Sequence, residues 1–159
     1  MATTLLQHPL SLLATSSRYL TTWSFVLVCL HEITHPIFNL LFLSALVAIG
    51  GLYISNVSPR AYYLQVQDTT VVLDGWKTIV IDVLFHIAPF IFVWFAYSHY
   101  YFASCRNTIV PLLNSLILVI VYAATARRAE LYHVEQGDVR VIAGAAALLM
   151  AAWIYAACS

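Results

Sequence analysis

The chain reads as long apolar runs separated by short polar breaks. A bilayer crossing takes about 20 mostly apolar residues. Five runs approach that length: residues 19–35, 37–56, 76–98, 108–126 and 139–158. The first ends in "CLHEITHP", where Pro36 stops a helix and forces a tight hairpin into the second run. The longest break, "VSPRAYYLQVQDTTVVLDG" (57–75), carries Pro59, Gly75 and several polar residues and reads as a loop. The pattern therefore predicts an all-α fold, a polytopic transmembrane helix bundle of five spans over residues 18–159. Residues 1–17, "MATTLLQHPLSLLATSS", are rich in Leu, Ser and Thr without an acid, faintly like an organellar transit peptide. They read better as an interfacial, amphipathic segment lying on the membrane.

Composition supports the membrane reading. Of 159 residues, 62% are hydrophobic and 9% charged, with mean hydropathy +0.86. A soluble domain is about 25% charged. A chain this short has too little interior to hide so much apolar surface from water. The zero net charge and scattered arginines leave no footprint for nucleic acid. The partners to expect are membrane lipids and other membrane subunits of a larger assembly.

Charge then orients the bundle. With five spans, Arg18, Arg60, Lys77, Arg127, Arg128 and Arg140 share one side of the membrane, and Arg106 alone lies on the other. Basic loops stay on the side of insertion. The N-terminus is therefore expected on the cytosolic or matrix side and the C-terminus opposite. An endomembrane and an organellar inner membrane fit equally well. Tyr19, Trp76, Tyr100, Tyr101, Tyr132, Trp153 and Tyr155 fall near span ends, where amphipathic rings collect. Ala143, Ala147 and Ala151 repeat at a spacing that lets helices approach closely. The three cysteines, Cys29, Cys105 and Cys158, are odd in number and lack metal spacing, so a disulfide is not expected.

Two constellations carry candidate chemistry. "HEITH" places His31 and His35 one helical turn apart beside Glu32, the spacing of zinc hydrolases. A catalytic zinc needs a third protein ligand. The candidate is Asp74 of "LDG", which lies at the other end of a span, about 30 Å away across the bilayer. Zinc at His31, Glu32 and His35 is thus a minor alternative, and no metal or cofactor is expected. Nothing else in the chain suggests a porphyrin between His31 and His86.

The third run supplies the second constellation, "GWKTIVIDVLFHIAPFIFVWF". Asp82 and His86 are four apart and share a helix face. Ionisable groups at membrane depth are costly, face the bundle interior and are usually functional. An aspartate that orients a histidine makes it a base, and a base can activate a hydroxyl. The first run opens "RYLTTWS", offering Thr21, Thr22 and Ser24. Thr21 and Glu32, eleven apart, would share a face of an unbroken helix. Counted from Arg18 and Lys77, Thr21 and His86 differ in depth by about 9 Å.

The runs "RYLTTWSFVLV", "LVAIGGLYISNVSPR", "GWKTIVIDVLFHIAPFIFVWFAYSHYY", "IVPLLNSLILVIVYAA" and "LYHVEQGDVRVIAGAAALLMAAWI" together resemble the androgen-induced membrane hydrolase family and its bacterial multi-pass relatives. The shared features are an aromatic-Leu-Thr opening of one span, Asp-x-x-x-His-x-x-Pro in a later one, and the spacing of the rest. The resemblance covers nearly the whole chain from Arg18 onward. It implies an intramembrane threonine hydrolase of fatty-acid esters, with Thr21 as nucleophile and His86 as essential histidine. Two features depart from the family: its usual first span is missing, and the loop after the threonine-bearing span is collapsed to "HEITHP". Two functions follow as expectations. One is a lipid-ester hydrolase using Thr21 and His86, oriented by Asp82, with a lipid-accessible groove between the first and third spans. The other is a non-catalytic structural subunit of a larger membrane complex, in which Asp82 and His86 are only a satisfied buried pair.

Overall fold

The computed structural model describes residues 19–57, 61–66, 69–125 and 136–159. The segment 1–17 and the residues Arg18, Arg60, Arg127, Arg128 and Tyr132 lie outside them. The bundle is helical. Helix α1 spans Leu20–Cys29, α2 is the single turn His31–Thr34, and α3 runs Leu40–Val57. A two-stranded antiparallel hairpin follows, β1 Ala61–Val66 against β2 Thr69–Asp74. Next come α4 (Trp76–Asp82), a π-helical turn (Val83–Ile87) and α5 (Ala88–Tyr101), in unbroken succession. Helices α6 (Cys105–Thr125) and α7 (Gln136–Cys158) complete the chain.

Three of these helical stretches are long and apolar enough to cross a membrane: Trp76–Tyr101, Cys105–Ala124 and Asp138–Cys158. Leu20–Cys29 and Leu40–Asn56 are shorter apolar helices. The first apolar run does not form one helix to His35. It breaks at Leu30, whose backbone leaves the helical region, and Pro36 then closes a turn. The break also removes the shared face expected for Thr21 and Glu32.

The break 57–75, expected as a loop, instead pairs Ala61 with Asp74 through to Val66 with Thr69. "AYYLQV" and "TTVVLD" are rich in β-branched and aromatic residues, which suit a pleated ribbon. Gly75, at φ 56°, makes the turn from β2 into α4.

Helix α3 is the centre of the bundle. Leu40, Leu41, Phe42 and Leu43 are all fully buried although they point in four directions, so the start of α3 is surrounded. It packs against α1, the π-turn, α5, α6 and α7. Its start is held by polar groups that would be costly if left unpaired in an apolar interior. Asn39 Oδ1 accepts from Phe42 N–H at 2.9 Å, an N-cap bond. The Tyr101 hydroxyl accepts from Leu40 N–H at 3.0 Å and donates to Phe38 O at 2.7 Å. Ser115 Oγ accepts from Asn39 N–H at 2.8 Å and donates to Pro111 O at 2.9 Å. Thr108 Oγ1 donates to Tyr101 O. Tyr101 and Trp153 are thus buried core residues, not the interfacial rings their positions near span ends suggested.

The outer faces of the long helices are apolar and exposed, as at Ile79, Phe95, Leu113, Ile117 and Leu148. Helix α7 is the most exposed of them. It is fastened at both ends. Tyr53 donates its hydroxyl to Asp138 Oδ1 at 2.7 Å. Cys158 is joined to Cys105, with Cα atoms 4.6 Å apart. This disulfide corrects the expectation that none would form. The sequence separation of 53 between the two cysteines hid the pairing, which exists because the end of α7 returns to the start of α6. Cys29 remains a free, exposed thiol. Ala143, Ala147 and Ala151 are exposed on the outer side of α7.

Candidate functional site

The side chains of Thr21, His86 and Asp82 meet inside the bundle. Thr21 lies in the first turn of α1. His86 lies in the π-turn and Asp82 ends α4. The two stretches run parallel, since contacts climb together from Thr21 with His86 to His31 with Phe92 and His35 with Tyr97. Thr21 Oγ1 is 3.1 Å from His86 Nε2, and His86 Nδ1 is 3.0 Å from Asp82 Oδ1. The depth offset expected from the flanking charges is therefore closed. Helix α1 starts level with the third turn of the Trp76–Tyr101 stretch, about 15 Å along it from Trp76.

Local chemistry explains the placement. Pro89 has no N–H to give to Phe85 O one turn earlier. The wider π-turn, Val83–Ile87, sits directly before it. Such turns interrupt α-helices frequently at functional sites. His86 and Asp82 keep a common face across this turn, and their side chains are only 9% and 13% exposed. The face of the imidazole rests against Gly51 of α3. Phe25 and Phe85 pack at 5.5 Å beside the pair. Of the other hydroxyls, Ser24 is buried one turn further along α1 and Thr22 is half-buried, while the hydroxyl bonded to His86 Nε2 is that of Thr21.

The bonding order fixes the proton positions. A carboxylate only accepts, so a ring proton on Nδ1 faces Asp82. That leaves the Nε2 lone pair toward Thr21, whose hydroxyl donates. The arrangement can draw the proton from Thr21 Oγ and hold it on an imidazolium beside an aspartate, the common logic of an activated nucleophile.

HEITH is arranged differently. His31 Nε2 is 2.8 Å from Glu32 Oε1, and Glu32 is 81% exposed. His35 stacks on Tyr97 at 5.1 Å, with Nδ1 2.7 Å from His31 O. Asp74 is exposed at the end of β2, at the other end of the Trp76–Tyr101 stretch from these histidines. Among the described residues no three His, Cys, Asp or Glu side chains are grouped to hold a metal ion.

An apolar groove of about 420 Å³ opens between α3, α5 and α7, lined by Ala48, Leu52, Ile87, Phe90, Leu149 and Trp153. It lies on the α7 side of α3, not between the first and third spans as expected. Its lining includes Ile87 and Leu52, the sequence neighbours of His86 and Gly51, but not Thr21, His86 or Asp82 themselves. Gly51 and the groove were not singled out in the sequence; the signal available was the Gly50–Gly51 pair inside an otherwise continuous apolar helix. The chain matches no protein-family model, no curated protein and no solved structure.

Proposed function

We propose that this protein is an intramembrane hydrolase of lipid esters, built on five spans, with Thr21 as nucleophile, His86 as general base and Asp82 as the group that orients it. The observation that carries the reading is the continuous line from Thr21 Oγ1 through His86 to Asp82, with links of 3.1 and 3.0 Å. These are distances at which proton transfer works. In the reaction, Thr21 Oγ attacks the ester carbonyl carbon and His86 Nε2 takes the hydroxyl proton. The tetrahedral adduct expels the alcohol, which leaves with that proton. A water, deprotonated by His86, then attacks the acyl carbon of the acyl-threonine; the bond to Oγ breaks, the acid leaves, and the proton held by His86 returns to Thr21 Oγ. Apolar surroundings support a lipid substrate: the outer faces of the long helices are apolar, and so is the groove whose lining includes Ile87 and Leu52. The test is release of free fatty acid from a long-chain ester by the purified protein in detergent. Turnover supports the reading, and its absence contradicts it.

A structural-subunit reading has one observation in its favour. The outward face of α7, with Ala143, Ala147 and Ala151, is built for close helix contact and is uncovered. On that reading the Thr21–His86–Asp82 line only satisfies buried polar groups. Co-purification of a stoichiometric membrane partner, with no turnover by the assembly, would favour it.

A further inference from the structure

We infer that Gly51 is a positioning residue, its bare backbone forming the platform that holds the His86 ring in line with Thr21 and Asp82. The inference rests on the hydrolase reading only for its consequence on turnover. A Cβ built on Gly51 would lie 2.6 Å from His86 Cγ, 2.7 Å from Cδ2 and 2.8 Å from Nδ1. All three contacts are to atoms of the ring itself, at distances no carbon can occupy. The ring cannot retreat without loss, because its two edges are bonded to Thr21 and Asp82.

Glycine is not needed at 51 for any other reason on view. Among the described residues only Gly75 has a positive-φ glycine backbone, so the conformation at 51 is open to any residue. In mid-helix glycine is worse than alanine, since it has more freedom to lose. Gly50, its neighbour, is an internal control: a Cβ there meets nothing within 4 Å. The imidazole is thus fixed from three directions, by Asp82 at Nδ1, by Thr21 at Nε2 and by Gly51 at its face.

The experiment compares wild type, Gly50→Ala and Gly51→Ala as full chains in detergent, with ¹⁵N-labelled histidine. The expected result is an exchange-protected Nδ1–H signal of His86 in wild type and Gly50→Ala, and its loss in Gly51→Ala. Ester turnover should fall about 100-fold in Gly51→Ala, as misplacing a reacting group by about 1 Å does. It should be unchanged in Gly50→Ala. If wild type has the signal and Gly51→Ala loses it, yet no form hydrolyses ester, the positioning role stands and the hydrolase reading fails. If Gly51→Ala keeps both signal and turnover, or if Gly50→Ala loses as much, the inference is overturned. Absence of the signal in wild type overturns it together with the relay. A second measurement guards against general misfolding. Gly51→Ala should lower the melting temperature in the wild-type background but not in His86→Ala, where the opposing ring is gone. An equal drop in both would refute the contact.

Discussion

Thr21 Oγ1 and His86 Nε2 stand 3.1 Å apart although 65 residues separate them in the chain. One group comes from the first turn of a ten-residue helix, the other from a π-turn inside the Trp76–Tyr101 stretch. Both are polar groups brought inside an apolar bundle, which is costly unless each satisfies the other.

The role proposed for Asp82 predicts a catalytic loss without a loss of fold. Asp82→Asn keeps the shape of the side chain but lets it donate as well as accept, so it no longer selects the Nδ1–H tautomer. Turnover should fall by about 10²–10⁴, the range attributed to a positioned general base. Melting temperature should change little beside this. Initial rates on a fatty-acid ester check it; rates within twofold of wild type would remove Asp82 from the mechanism.

Much of this site was legible in the sequence, for a physical reason. Ionisable residues are so expensive in an apolar run that Asp82 and His86 stood out. Their spacing of four keeps them on one face whether the turn between them is α or π. The fold was less legible where partners are distant or signals overlap. The Cys105–Cys158 bridge spans 53 residues and depends on where two helix ends meet. The β1–β2 ribbon was masked by Pro59, Gly75 and polar residues, which read equally well as a loop. Tyr101 was placed at the interface because tyrosines at span ends usually lie there, whereas here its hydroxyl serves the start of α3. The Gly50–Gly51 pair could be seen in the sequence, but only the neighbouring helix gives Gly51 its meaning.

The Tyr101 contacts give a stability prediction. Tyr101→Phe leaves the Leu40 N–H without that acceptor and Phe38 O without that donor, in a fully buried setting. The cost should be about 1–3 kcal/mol, the price of unpaired buried groups. Thermal unfolding in detergent reads it directly, and an unchanged melting temperature would show that the hydroxyl does not hold the start of α3.

The disulfide predicts sidedness. Cys105 and Cys158 lie at the end of the bundle opposite Lys77 and Arg140, which start α4 and α7. Disulfides persist in oxidising compartments, and basic residues stay on the insertion side. In sealed membrane vesicles, an impermeant reductant should therefore open the bridge only from the lumenal, periplasmic or intermembrane-space side. Reduction should also destabilise the bundle by about 2–4 kcal/mol. Three free thiols, with Cys105 and Cys158 alkylated alongside Cys29 in protein extracted under alkylating conditions, would contradict both parts.

HEITH is predicted to be independent of metal. His31 is bonded to Glu32 and His35 is stacked on Tyr97. Chelator treatment, His31→Ala and His35→Ala should leave turnover within about twofold, because the two histidines are bonded to Glu32 and the α2 backbone, with His35 stacked on Tyr97, and not to the Thr21–His86–Asp82 line. Elemental analysis is the check: one equivalent of zinc, lost in either variant, would reverse the assignment.

The central claim is that Thr21 is a nucleophile activated by His86. The most direct test is to treat the purified protein with a fluorophosphonate probe bearing an alkyl chain and locate the adduct by mass spectrometry. The account predicts a single adduct on Thr21 Oγ. It should be absent from Thr21→Val and His86→Ala, partly retained in Thr21→Ser, and blocked by prior incubation with a long-chain ester. A correctly folded protein with its Cys105–Cys158 bridge intact that takes no adduct at Thr21, or labels equally well in His86→Ala, would contradict the account.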